Sequence, residues 1–121
     1  MFRGYIMNDY YKKISMEDFN RYKSNFIKFT QKDVSNFKKF ISNYSSNKFN
    51  TDFRFDEMSI DYLLLSSDDD VIYIYKHPDD WYMIHNALKL KRGYATSFFK
   101  CDQWDGLLEY TKNQIFYERL L

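Results

Sequence analysis

Between Ile60 and Phe99, four stretches rich in β-branched and aromatic residues follow one another with only short polar runs between them. This spacing constrains the fold more than any other feature of the chain. The stretches are Ile60 to Leu65, Val71 to Tyr75, Trp81 to His85 and Tyr94 to Phe99. Each is long enough for a strand and too short for a stable helix. Ser66 to Asp70 and Lys76 to Asp80 separate the first three. Connections this short cannot carry a parallel crossover, so these strands should form an antiparallel meander. Ala87 to Gly93, rich in Lys and Arg, reads as a longer loop before the fourth.

Lys100-Cys101-Asp102-Gln103-Trp104-Asp105-Gly106 then leads into a helix. Asp102 is placed to cap it, and Gly106 would allow it to approach the sheet closely. Trp104, Leu107, Leu108 and Tyr110 or Thr111 give it an inner face, and it should end near Asn113. The tail from Ile115 to Leu121 is apolar and is expected to dock on the domain or on a partner.

Ahead of the sheet the period changes. Tyr5, Ile6, Tyr10, Tyr11 and Ile14 suit an edge strand or a packed arm. Ser15, three residues before Asp18, should cap a helix from Met16 to about Ser24, with Phe19 and Tyr22 inward and Phe26 extending the row. Phe26 to Phe29 suits either a continued helix or a short strand. Thr30-x-x-Asp33 repeats the cap, predicting a helix from Gln31 to about Tyr44. Its stripe of Val34, Phe37, Phe40, Ile41 and Tyr44 falls on one side of a 3.6-residue period and reads as core. Ser45 to Thr51 connects onward, Phe53 and Phe55 alternate with charged residues as a short strand would, and Glu57 to Ser59 reads as a turn.

The fold class is therefore α+β: an antiparallel sheet of four or five strands packed against amino-terminal helices and one carboxy-terminal helix. A length of 121 residues supports one core. Residues 1–121 read as a single domain: 1–50 mainly helical and basic, 51–101 an acidic antiparallel sheet, and 102–121 the last helix with its apolar tail.

Hydrophobic residues make up 45% and aromatics 21%, which argues against disorder. The aromatic content has a second source. Phe and Tyr number twelve each, and with Met, Ile, Asn and Lys, all encoded by AT-rich codons, they fill about half of the chain. Gly, Ala, Arg and Pro are scarce. An AT-rich genome follows, such as that of a phage, a large DNA virus, an organelle or a low-GC bacterium, so an aromatic surface is not automatically a stacking platform for bases.

One cysteine, Cys101, excludes an internal disulfide and a cysteine-built zinc cage. A reducing compartment suits it, and the cytoplasm is the expected location. The first residues lack the apolar stretch of a secretory signal, and no run approaches a membrane span. Net charge is +1 overall but divides unevenly, with a basic excess in residues 1–50 and an acidic excess in 51–121. The plain reading packs the two halves side by side with solvated charged faces. The sharper one gathers Arg21, Lys23, Lys28, Lys32, Lys38 and Lys39 on one helical face for an acidic partner.

Three clusters could carry chemistry, and each has a plainer reading. Asp68 to Asp70 could hold a hard cation but lacks the spaced ligands and Gly of a calcium loop, so a hairpin turn suits it better. His77 and His85, with Asp79 and Asp80, could serve as ligands or as an acid–base pair. They sit in a strand and before a turn Pro, where a structural role is commoner. Cys101 beside Asp102, with a His elsewhere in the chain as base, has the minimum parts of a cysteine hydrolase, yet no catalytic signature surrounds it. The three glycines are isolated, so phosphate-cradling loops are absent. No enzymatic activity, cofactor or metal is expected.

The run Asp79-Asp80-Trp81-Tyr82, followed by an aromatic strand entering Lys100-Cys101-Asp102-Gln103-Trp104-Asp105-Gly106-Leu107-Leu108, resembles small uncharacterised α+β proteins of large DNA viruses with AT-rich genomes. The likeness covers the last third of the chain. It implies a viral or mobile-element origin and brings no established activity.

The function read from the sequence is a non-enzymatic protein-interaction module, a viral accessory or inhibitor protein that binds a host or viral protein. Self-association into a dimer is its mildest form. The candidate contact residues are Lys28, Lys32, Lys38, Lys39, Lys89, Lys91, Arg92, Phe116 and Tyr117. The alternative is a nucleic-acid-binding protein that sets the same lysines and Arg92 on phosphate, with Tyr73, Tyr75 or Tyr82 stacked on bases. No membrane partner is expected.

Overall fold

The computed structural model describes residues 10–47, 54–56 and 60–113. They form an α+β fold built on one antiparallel sheet. In chain order the elements are β1 (Tyr11–Ile14), α1 (Met16–Tyr22), a single 3-10 turn (Lys23–Asn25), α2 (Gln31–Asn47), β2 (Arg54–Asp56), β3 (Leu63–Ser66), β4 (Asp70–His77), β5 (Trp81–Lys89), β6 (Tyr94–Asp102) and α3 (Gln103–Thr111). The sheet order is β1-β6-β5-β4-β3-β2, and every neighbouring pair is antiparallel. The meander thus runs from β2 to β6, and β1 is added at its far edge as a sixth strand.

Side-chain alternation divides this sheet into two buried faces. One carries Leu63 and Leu65 of β3, Ile72 and Ile74 of β4, Tyr82 and Ile84 of β5, and Cys101 of β6. Val34, Phe37 and Ile41 of α2 cover it, together with Leu107 and Tyr110 of α3. The opposite face carries Met83 and Phe98, sealed by Phe19 of α1 with Tyr22, Phe26, Tyr75 and Trp81 around them. The helices therefore lie on both sides of the sheet. Apolar burial on both sides accounts for the continuous apolar runs in β4 and β5, since a sheet wetted on one side would alternate.

The helix starts follow their cap residues. Ser15 Oγ accepts the Asp18 N–H at 3.1 Å. Thr30 and Asp33 bond reciprocally, Thr30 Oγ1 accepting the Asp33 N–H and Asp33 Oδ2 accepting the Thr30 N–H, each at 3.0 Å. Asp102 holds the N-cap position of α3, but its side chain accepts no bond from the helix amides. Gln103, the first residue of α3, has a left-handed backbone, and its N–H goes to the Asp80 carbonyl instead.

Several boundaries differ from the sequence reading. Ala87 to Gly93 is not a long loop: β5 continues to Lys89, and Leu90 closes the turn on Gly93, its N–H bonding the Gly93 carbonyl at 2.9 Å. Phe26 to Phe29 is neither helix nor strand but a crossing. Ile27 makes an isolated bridge to Lys76, beyond the point where β3 stops, and the Phe29 N–H bonds the Ile60 carbonyl. Phe26 remains on the α1 side, stacked on Tyr75, while Phe29 lies on the other side, stacked on Tyr82. The expected turn at Glu57 to Ser59, the connection from Lys48 to Thr51, Phe53, and the tail with Phe116 and Tyr117 lie outside the described residues.

Candidate functional site

The β5–β6 hairpin pairs without interruption from Trp81↔Asp102 to Lys89↔Tyr94. At its tip, Leu88, Leu90 and Tyr94 are exposed, and they interleave with the exposed Lys89, Lys91 and Arg92. By alternation Leu88 shares a sheet face with Ile84, whereas Lys89 and Tyr94 lie on the other. The Lys89 N–H bonds the Asp69 carbonyl at 2.7 Å, which anchors the tip to the β3–β4 turn. That turn is itself tied down, because Ser67 Oγ accepts the Asp69 and Asp70 amides at 3.3 and 3.1 Å. The tip therefore offers apolar side chains between cations on a held backbone. Its apolar half escaped the sequence reading, although Leu88-Lys89-Leu90-Lys91 alternates as a strand does.

The remaining basic residues are not gathered with it. Lys28 lies in the crossing beside Ile27, which bridges Lys76. Lys89 sits next to Asp69, at the other end of β4. Seven residues of strand separate these points, about 23 Å. Nor do the expected helical cations share one face. Arg21 and Lys23 belong to the α1 side of the sheet, while Lys32, Lys38 and Lys39 belong to α2 on the opposite side. The two helices read as one basic surface in the sequence because their order along the chain hides the sheet between them. Lys38 and Lys39 line a shallow, open groove of about 530 Å³ with Ser35, Ser42 and Asn43.

Among the described residues, an ion pair that joins the two halves takes its cation from the acidic half: Lys76 Nζ meets Asp33 Oδ2 at 2.8 Å, both side chains mostly buried. Arg21–Asp18 and Lys112–Glu109 are local pairs three residues apart along a helix.

The clusters weighed for chemistry take structural roles. His77 stacks on Trp81 with ring centres 3.9 Å apart, and its Nδ1 accepts the Asp79 N–H at 3.2 Å. His85, on the α1 side, stacks on Phe98 at 4.8 Å and lies beside Tyr73. Burial, reinforced by the positive charge of Lys23, pulls the His85 imidazole below its ordinary value, which favours its neutral form. The two histidines do not form a pair. Among the described residues, no group of three or more His, Cys, Asp or Glu is placed to hold a metal ion.

Cys101 is fully buried in the core shared with α2 and α3. Burial, and the negative charge of Asp102 beside it, push its thiol far above the ordinary range. The sharp strand-to-helix turn that follows does hold a left-handed residue, the place where elbow-type hydrolases present a nucleophile. That residue is Gln103 (φ 57°), which carries none. The nearby cleft of about 270 Å³ is lined by Asp80, Tyr82, Gln103, Trp104 and Asp105. The Tyr82 hydroxyl there is pushed up to about 12, chiefly by burial and then by the charges of Asp33 and Asp80.

Of the tyrosines considered for base stacking, Tyr82 is buried under Phe29 and Trp104. Tyr75 is packed against Phe19 and Phe26. Tyr73 is half-buried against Tyr62 and His85. No helix among the described residues is long and apolar enough to cross a membrane. Compared with known proteins, the chain matches no family model, no curated protein and no solved structure.

Proposed function

We propose that this chain is a non-enzymatic protein-interaction module that docks through the tip of its β5–β6 hairpin. The observation that carries the reading is the exposure of Leu88, Leu90 and Tyr94 between Lys89, Lys91 and Arg92 on a backbone anchored to Asp69. Aromatic and Arg side chains are enriched where protein partners bury surface, and a pre-formed hairpin loses little conformational freedom on binding. The charge pattern adds a preference for an acidic partner surface. A viral accessory or inhibitor role is compatible with the AT-rich coding signal, which an organellar or low-GC bacterial source would also produce.

The test is an affinity capture in which wild type is compared with the double variant Leu88→Ser/Leu90→Ser. A set of proteins held by wild type and lost by the variant is expected. Identical sets, or no retained protein in either, would overturn the reading. Retention of single-stranded oligonucleotide at low salt, falling steeply as salt rises, would move the assignment to nucleic acid.

A further inference from the structure

The far edge of the sheet is only half covered. β1 pairs with Phe98 to Cys101 of β6, from Ile14↔Phe98 to Tyr11↔Cys101, and the chain then turns away at Ser15 into α1. Tyr94 to Ser97 continue β6 for four residues, paired with β5 on one side, and no described strand lies along their other side. Tyr94, Ala95 and Thr96 are exposed.

The backbone groups facing that gap follow from the hydrogen-bond parity of the sheet. In an antiparallel pair, every second residue turns its N–H and C=O away from its partner strand. Asp102 does so, because its N–H bonds the Tyr10 carbonyl on the β1 side. Lys89 does so at the other end of the pair, bonding Asp69. The β5–β6 register is unbroken between these points, so Phe98 and Lys100 point to β1, and Tyr94 and Thr96 point to the open edge. Two N–H groups and two C=O groups are thereby set in line, in the spacing a further strand would need. The two most exposed large apolar side chains reported for the described residues, Tyr94 at 62% and Met16 at 55%, belong to the two ends of this segment. Tyr94 begins it, and Met16 follows the residue at which β1 leaves the edge.

Charge selects the occupant. Lys91 and Arg92 lie in the turn at one end, and Lys13 lies in β1 at the other. The first turn of α1 contributes Glu17 and Asp18, of which Asp18 is paired with Arg21. The turn end of the edge is therefore basic, while at the other end Lys13 and Glu17 offset one another. A second copy laid antiparallel on the same four residues would bring the Lys91–Arg92 turn of each chain against that near-neutral end of the other, whereas a segment carrying carboxylates would meet the turn with opposite charge. We propose that Tyr94 to Ser97 bind an extended acidic segment of a partner protein as an added strand. Its backbone would pair with Tyr94 and Thr96, its apolar side chains would meet Tyr94 and Met16, and its carboxylates would lie near Lys91 and Arg92. This inference rests on the interaction reading above and names the chemistry of the partner.

Thr96→Pro tests it, because it removes an outward N–H while leaving every bond to β5 in place; proline is tolerated at such edge positions. Thr96→Val keeps the N–H and changes only the side chain. Random linear peptides of about twelve residues, displayed on phage, would be selected on the full-length chain, and the winners measured on wild type and both variants. The expected winners are rich in Asp and Glu, bind wild type and Thr96→Val alike, and bind Thr96→Pro about tenfold or more weakly. Unchanged thermal melting of Thr96→Pro would show that it folds. Winners that ignore Thr96→Pro, winners without an acidic bias, the absence of any winner, or a wild-type dimer in sedimentation that Thr96→Pro dissolves would each overturn the proposal. Partner capture that depends on Leu88 and Leu90 but survives Thr96→Pro would overturn the edge and leave the hairpin reading standing.

Discussion

Gln103 donates its backbone N–H to the carbonyl of Asp80 at 3.0 Å, and both residues hold left-handed backbone, with φ of 57° and 65°. The bond ties the β4–β5 turn to the start of α3, and it uses main-chain atoms alone. A side chain at Gln103 therefore adds strain without adding to the bond. Replacing it with glycine should relieve that strain and stabilise the fold by roughly 0.5–1 kcal/mol, whereas Gln103→Val should destabilise it by about 1–2 kcal/mol. Urea unfolding of the two variants should shift in opposite directions.

Lys76 and Asp33 join the crossing edge of β4 to the first turn of α2. Burial alone would raise the Asp33 carboxyl, but the Lys76 ammonium and the Thr30 donors outweigh it and hold the group below its ordinary value of 3.8. A carboxylate with a depressed folded value binds protons more readily in the unfolded chain. Its contribution is thus fully present above the unfolded value and is lost as pH falls through the folded one. Asp33→Asn should cost roughly 1–2 kcal/mol at neutral pH and close to nothing once wild-type Asp33 is protonated. Denaturation of both proteins across the acid range would read this convergence, and a gap independent of pH would refute it.

Gly106 sits where two effects oppose each other. In an exposed helix interior, Gly→Ala gains about 1 kcal/mol from backbone entropy. At this position the added methyl would lie 2.6 Å from the Tyr10 carbonyl oxygen, a backbone atom held in the β1 edge by its bond to Asp102. Overpacking of that kind costs about 1–3 kcal/mol, so the net effect of Gly106→Ala should be destabilising. A lower melting temperature, with α3 signals most disturbed in a heteronuclear spectrum, is the expected result.

The parts of the fold legible in the sequence were those fixed by local chemistry. Ser15 and the Thr30–Asp33 pair announced their helices because a cap needs only residues three apart. The meander was legible because short polar turns leave no other connection. What could not be read was placement across the sheet. Met16 to Tyr22 and Gln31 to Asn47 carry similar aromatic stripes, and nothing local says that the crossing at Ile27 puts them on opposite faces. The extension of β5 through Leu88 was obscured by Lys89 and Lys91, whose charge reads as loop although their spacing fits a strand. The open edge at Tyr94 to Ser97 depends on where β1 stops, which the cap at Ser15 decides and the residues of β6 do not record.

Cys101 offers a measurement on which a structural and a reactive thiol give different answers. Its side chain is fully buried in the core beneath α2 and α3, and its thiol is raised by burial and by the charge of Asp102. The thiolate is the nucleophile, so alkylation requires both exposure and deprotonation, neither of which the folded chain provides. Iodoacetamide at neutral pH should leave the native protein unmodified on the timescale that labels a free thiol, and the rate in increasing urea should follow the opening of the core. Substitutions carry the same distinction. Cys101→Ala removes one sulfur atom from a packed site and should cost about 1–2 kcal/mol. In Cys101→Ser, the hydroxyl would also be buried among apolar side chains, which should cost a further 1–3 kcal/mol or so unless it finds an acceptor. A serine variant as stable as wild type, or rapid alkylation of the folded chain, would mean that Cys101 reaches solvent and that its burial in the core is wrong.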